Sequence, residues 1–389
     1  MKNVSIFLLI SLLCTSALSD DSREIQSQFN DAMTLLSSGN AYEAAEILSE
    51  LALQTSSPRI LLELGRALYQ DNRLEESKVV FKKVLLIKGI PWEVEEKVYS
   101  YINLIEQQTG SISFSIELIT DSNPQLNTSA KKVEMLGGWF DVSQDTNPML
   151  IGLRYSLLGQ LPLSDQGKQS GALQVSLSDY PDLNNDSINT RLEIQSLLSA
   201  YKAKAIRVGI EAGFSDDKKT FEMPYVGLNF GSRSRLSSWS INLKTAYMDA
   251  KQNFSQSGVR NSAVYSYIRN LPQGYRLTSS LEASYSGAVY AEDKFATFSI
   301  RENYGIPLGL RSSRLELFGK GELRQHEGMN FIFGDIRDDK KLILGANFVG
   351  QGYRFFGMTP KFGISYTNNQ SNLAYYSYDK YEMQLSFSK

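Results

Sequence analysis

The chain has 389 residues, 42% of them hydrophobic and 21% charged, with a formal net charge of -2, one histidine and one cysteine. This composition suits two or more folded units and argues against a disordered chain. The near-neutral balance argues equally against a nucleic-acid partner, which calls for a basic stripe.

Lys2, the apolar stretch Val4–Leu13 and Ala17-Leu18-Ser19 read as a signal peptide over residues 1–19, cleaved before Asp20. Leu13, where a lipoprotein signal needs a small residue, precedes Cys14. Cleavage removes that sole cysteine, so the mature chain forms no disulfide. The alternative of an N-terminal anchor is disfavoured because the run is well short of the ~20 residues a spanning helix needs, and no later run is long enough. An exported chain without such a helix is soluble in the periplasm or secreted, or crosses the outer membrane as strands.

Residues 20–109 read as periplasmic helices that repeat at an offset of about 33, close to the tetratricopeptide period of about 34. Ala32 matches Gly65, Leu35 matches Leu68, Gly39 matches Asn72, Ala44 matches Ser77, Leu48 matches Phe81, Leu51 matches Val84 and Pro58 matches Pro91. Small residues fall where paired helices approach, and larger apolar ones at helical spacing. Pro91 opens a further helix whose stripe of Val94, Val98, Ile102 and Ile105 covers the open end of the array. The first helix of each pair faces the concave side. Arg59, Leu62, Arg66 and Tyr69 share one stripe of it, with Gln26, Phe29 and Met33 as the equivalent stripe one repeat earlier, and together they form a candidate groove for an extended client segment. The alternative is that Phe29, Met33 and Leu62 are core and the arginines ordinary solvated charges.

From Ser111 the periodicity changes to two residues, and residues 110–389 read as an all-β transmembrane barrel. Only Tyr42, Tyr69, Tyr99, Tyr101, Phe7, Phe29 and Phe81 precede this part, so it holds most of the 21 Tyr and 19 Phe, residues favoured in strands and, for Tyr, at membrane interfaces. Ile112, Phe114, Ile116 and Leu118 alternate with Ser113, Ser115 and Glu117. Ile206, Val208 and Ile210 oppose Arg207 and Glu211, and Trp239, Ile241, Leu243 and Tyr247 oppose Asn242 and Lys244. Leu315, Leu317, Gly319, Gly321 and Leu323 oppose Arg314, Glu316, Lys320, Glu322 and Arg324. Turning Arg314, Lys320 and Arg324 toward lipid would cost ~2–4 kcal/mol each near the midplane. They are therefore expected to face a wet lumen, with Glu316 and Glu322 partnering the cations. A soluble sandwich or solenoid is the competing reading, but it needs no aromatic ends. The last strand carries Tyr381, Met383, Leu385 and Phe387 on one side and is expected to close the barrel against an early strand.

The length suits 14 antiparallel strands of ~9–11 residues with their connectors. Segmentation gives 15 candidates where an even number is expected, so between Lys131 and Asn185 one is expected to be spurious or two to merge. With a periplasmic C-terminus, the connectors near 250–257, 327–337 and 367–377 lie outside, and Pro272 and Gln351 on the periplasmic side. His326 reads as an exposed loop residue. No phosphate loop, dinucleotide fingerprint or serine elbow is present, and no cofactor or metal is expected. A carboxylate hydrolase built on Glu316 and Glu322 is the weak enzymatic alternative, since lumen charges usually tune selectivity.

Asp121-Ser122-Asn123-Pro124, Arg337-Asp338-Asp339, Phe356-Gly357-Met358-Thr359-Pro360, Asn369-Gln370-Ser371-Asn372-Leu373 and Tyr376-Ser377-Tyr378-Asp379-Lys380-Tyr381 resemble the barrel of the surface lipoprotein assembly modulator (Slam) family. The match is strong from Arg337 onward and faint between Val133 and Ser240. The order of parts agrees, helical repeats before a 14-stranded barrel. The repeat region is short, and the chain stops at Lys389 without the usual terminal aromatic, which leaves Phe387 as the insertion signal. The resemblance implies export of secreted or surface lipoproteins to the cell surface. The expected partners are such a client, outer-membrane lipid and the barrel-assembly machinery. A passive or small-solute porin with a periplasmic tethering or gating domain is the alternative, and a scaffold that uses the repeats alone is a third reading.

Overall fold

The computed structural model describes residues 23–389 except 56, 88–89, 143–148, 165–168, 182–185, 200–203, 216–217, 234–235 and 311–312. The signal peptide expected over residues 1–19 lies outside the described residues. The chain divides into two units, Met1–Gly110 and Ser111–Lys389.

The first unit is helical: α1 (residues 23–37), α2 (Ala41–Gln54), α3 (Pro58–Gln70), α4 (Leu74–Leu85) and α5 (Trp92–Thr109). The sequence repeat reappears as equivalent environments. Gly39 and Asn72, matched in the repeat, both take positive φ (90° and 60°) after α1 and α3. Such left-handed residues suit glycine and asparagine and reverse the chain into the next helix. Ala44 and Ser77, Leu48 and Phe81, and Leu51 and Val84 are all fully buried. At Gly65 the helices approach so closely that a Cβ would lie 2.6 Å from the Phe81 ring, and the Ser77 hydroxyl donates to the Gly65 carbonyl at 2.7 Å. Burial of a Phe or Leu of this kind contributes about 1.5–3 kcal/mol. The helix α5 seals a second cluster in which Val98, Ile102 and Ile105 meet Phe81 and Val84. Arg73 bridges Glu46 on α2 (2.9 Å) and Glu76 on α4 (2.7 Å), and its guanidinium holds the Glu76 carboxyl below its ordinary value.

The second unit is a closed antiparallel barrel of 14 strands. In chain order the strands are β1 (Ser111–Asp121), β2 (Lys132–Met135), β3 (Gly138–Asp141), β4 (Leu150–Pro162), β5 (Gln169–Asp179), β6 (Ser187–Ser199), β7 (Lys204–Ser215), β8 (Lys218–Arg233), β9 (Ser237–Ala250), β10 (Gly258–Asn270), β11 (Arg276–Ser286), β12 (Phe295–Pro307), β13 (Arg314–Asn330), β14 (Asp335–Val349), β15 (Thr359–Ser371) and β16 (Tyr378–Ser388). The hairpin β2–β3 is a separate sheet, so the surplus candidate after Lys131 is a real strand pair that is not a stave. Closure runs through β1 and β16, with Ile116 opposite Phe387 and Leu118 opposite Leu385. Seven residue pairs between β1 and β16 thereby join the two edges that an open sheet would expose to lipid.

Register fixes the two faces. Leu315, Leu317 and Leu323 point outward. In the same outward set, Trp239, Tyr267, Tyr304, Phe348, Phe362 and Phe387 ring one end and Tyr247, Tyr285, Tyr366 and Tyr381 the other. Two aromatic belts around an apolar wall are the pattern of a bilayer-spanning barrel. The strands run longer than the expected ~9–11 residues: β13 has 17 and β14 has 15. Their hairpin continues past the apolar band, as the outward Gln325 and Glu327 mark. The longest connector, from β1 to β4, shares its rim with connectors 251–257, 331–334 and 372–377, and this rim is extracellular. The barrel strands begin and end at the opposite, periplasmic rim, which carries Pro272 and Gln351. Unboiled protein in mild detergent is expected to migrate faster on a gel than boiled protein, with strand-dominated circular dichroism. Full solubility without detergent would contradict the membrane barrel.

Candidate functional site

Arg314, Glu316, Lys320, Glu322 and Arg324 all occupy inward register positions on β13. Glu322 gathers Lys320 at 2.9 Å and Arg324 at 3.3 Å along its own strand, and Lys341 of β14 at 3.5 Å across the ladder. A second network covers β6 to β9. Glu211 pairs with Lys244 at 2.7 Å and lies 3.9 Å from Arg191, while Glu193 meets Arg191 at 2.6 Å and Arg207 at 3.8 Å. Tyr225, which sequence reasoning missed, donates its hydroxyl to Glu193 at 2.6 Å and lies over Gly209, where a Cβ would come within 2.6 Å of its ring. A bulky side chain at Gly209 would displace that ring. A third group joins the closing seam, with Lys380 2.5 Å from the buried Asp121 and 3.0 Å from Glu382, and Arg154 3.0 Å from Glu117.

Four of the five stretches that carry the family resemblance converge at the extracellular rim, a convergence the separated motifs did not disclose. Loop 1, the connector from β1 to β4, turns in from Asp121. Ser122 exchanges hydrogen bonds with the Tyr381 backbone, and the Asn123 side chain donates to the Asp379 carbonyl at 3.3 Å. Further along, Thr128 donates to the Ala374 carbonyl at 2.9 Å and Ser129 to that of Ser377 at 2.8 Å. Asp338 and Asn372 clasp the neighbouring connectors, and Arg337 pairs with Asp339 at 2.8 Å while lying 3.6 Å from the centre of the Tyr376 ring. The tip of β2–β3 ends this path, with Leu136 N–H donating to the Ile332 carbonyl at 3.0 Å. The fifth stretch lies on the periplasmic rim. Phe356, 99% exposed, and Gly357 form a two-residue turn at positive φ.

His326 is not the exposed loop residue expected. Because β13 extends beyond the apolar band, the imidazole is half-buried in that strand, with Nδ1 2.7 Å from the Glu292 carbonyl oxygen and the Phe295 ring 5.2 Å away.

In the helical unit, the Arg59 guanidinium stacks 4.9 Å over Phe29, which is buried core. Leu62, Arg66 and Tyr69 are half-buried along α3. Arg66 pairs with Glu63 at 2.6 Å, and the Tyr69 hydroxyl accepts from Gln108 of α5 at 3.1 Å with its ring edge-on to Tyr101. Met33 is partly buried against the first core and Gln26 is exposed, bonded to Asn30. On β16, Tyr381, Met383, Leu385 and Phe387 share the outer face, and Phe387 meets Phe355 edge-on. Among the described residues no cluster of His, Cys, Asp and Glu could hold a metal ion.

The family model described as Surface lipoprotein assembly modifier matches residues 220–389, from within β8 to the end of the chain. No curated protein matches the chain. Among solved structures, OpdK of Pseudomonas aeruginosa with vanillate is 9% identical (TM-score 0.40, 72% of this chain and 98% of that one). OmpTdeltaL8, a loop-deletion mutant of an outer-membrane protein of Vibrio cholerae, is 8% identical (TM-score 0.38, 72% and 100%). An anion-selective porin from Comamonas acidovorans is 11% identical (TM-score 0.36, 72% and 99%). Likenesses this distant carry no argument about what passes through this barrel.

Proposed function

We infer, from a chain that carries the surface lipoprotein assembly modifier domain over residues 220–389, that this outer-membrane barrel exports lipoproteins to the cell surface and that its helical unit receives them in the periplasm. Export and the outer-membrane location come with the domain, which belongs to a family of transporters; the receiving role is the step added here. The observation that supports it is the order of parts. A helical array with a half-buried stripe on α3 precedes, through Gly110, a strand that starts at the periplasmic rim. A linked groove raises the local concentration of a client at the lumen's inner mouth, whereas a diffusion pore has no use for one. Barrel-assembly machinery is the further partner implied by a terminal strand that presents Phe387 outward.

The test uses liposomes carrying the intact protein, an Arg66→Glu/Tyr69→Ala variant or residues 111–389. They are scored for protease accessibility of a co-translated candidate lipoprotein and for small-sugar leakage. The double variant is expected to lose most client display while its barrel stays assembled. Equal leakage from all three, with no difference in client exposure, would defeat the export reading and favour a passive pore.

A further inference from the structure

The lumen wall from β12 to β16 encloses a cavity of about 480 Å³ with an excess of positive charge. Arg301, Lys341, Lys361 and Lys380 line it, against one lining carboxylate, Glu382, and Leu126 of loop 1 reaches in to line it as well. Lys341 and Lys380 spend part of their charge on Glu322, Asp121 and Glu382. Arg301 and Lys361 have no ion pair among the described residues; the Arg301 guanidinium lies 5.1 Å over the Phe318 ring, on the same cavity wall. The wall formed by β4 to β9 differs, since Arg154, Arg191, Arg207 and Lys244 all meet carboxylates there. Among the described residues, this cavity therefore has two lining cations, Arg301 and Lys361, without a carboxylate partner.

A polar chamber bounded by low-dielectric walls focuses the field of its fixed charges, and a guanidinium or ammonium without a partner is available to an incoming carboxylate. We propose that this chamber is a binding site for an acidic peptide segment, which Arg301 and Lys361 hold by its carboxylates as it traverses the lumen. Phe318 serves the same segment by holding the Arg301 guanidinium over its ring at the cavity wall. The ligand class rests on the export reading, because a peptide must pass for the site to meet one. Charge recognition by Arg301 and Lys361 is nonetheless measurable without any transport.

The experiment is fluorescence anisotropy of labelled hexaglutamate with the full chain purified in detergent. Binding is expected to weaken at least tenfold in Arg301→Gln/Lys361→Gln, to fall with added salt as screening grows, and to be unchanged in Lys218→Gln at the rim. The charge-preserving Arg301→Lys/Lys361→Arg pair should retain it, and gel mobility without boiling checks that each barrel has folded. Labelled hexalysine should not bind, and free glutamate at equal carboxylate concentration should displace hexaglutamate poorly. Absence of hexaglutamate binding to the wild type, equal binding to the charge-neutral double variant, or equal binding of hexalysine would overturn the site. Displacement by free glutamate as effective as by hexaglutamate would overturn the peptide class. Intact client display in liposomes by a wild type that fails to bind hexaglutamate would leave export standing and remove only the chamber.

Discussion

Lys380→Met is expected to lower the resistance of the folded barrel to denaturant by about 3 kcal/mol, the low end of the ~3–5 kcal/mol that follows removal of one partner from a buried ion pair. Asp121 is fully buried at the top of β1, directly beside the strand that closes the barrel, and its carboxylate lies 2.5 Å from the Lys380 ammonium. Without that ammonium the carboxylate keeps, among the described residues, only the backbone donor of Asn123, at 2.9 Å, and is left as a buried charge without a cation. The low end applies because Lys380 already divides its charge with Glu382. Asp121→Asn added to Lys380→Met removes the stranded charge, so the double variant should recover most of the loss. Urea unfolding in detergent, followed by the loss of the fast-migrating form, measures both. A double variant as weak as the single one would mean that shape, not charge, holds the seam.

What could be read in advance depended on whether the signal was local. On β13 the alternation of Leu with Arg, Lys and Glu fixes both the strand and the face that meets lipid, since only one register keeps three cations out of hydrocarbon. The same logic made Phe387 and Leu385 legible as outer-wall residues. Lys132-Val133-Glu134-Met135 alternates just as well, and Val133 is buried, but nothing in four residues says that their partner is β3 rather than a neighbouring stave. His326 was misjudged because hairpin length beyond the bilayer is not written in hydrophobic period. Convergence of Asp121–Asn123, Arg337–Asp339 and Asn369–Tyr381 depends on which strands become neighbours on closure, and Tyr225 joins Glu193 only through a register spanning three strands. Those are long-range facts, legible as motifs but not as a place.

Joining loop 1 to the connector after β13 by a disulfide is expected to reduce client display at least tenfold, and a reductant to restore it. The tip of β2–β3 reaches that connector from the far side of β16, β15 and β14, and Leu126 of the same loop enters the lumen cavity. A client leaving through the lumen must therefore pass loop 1, and the loop's hold on the rim consists of separate hydrogen bonds of about 0.5–1.5 kcal/mol each, which can open one after another. A covalent bridge cannot. The Leu136 to Ile332 backbone hydrogen bond brings these two chains close enough for the ~4.4–6.8 Å Cα separation of a disulfide. Cys14, the only native cysteine, lies within residues 1–19, so Leu136→Cys/Ile332→Cys would carry the sole pair in a chain processed there. The liposome assay is run on the oxidised and the reduced variant, with gel mobility as the control that both barrels are folded. Single-cysteine variants should display client under either condition. Undiminished display with the bridge closed would mean that the client leaves the barrel by a path that does not run beneath loop 1.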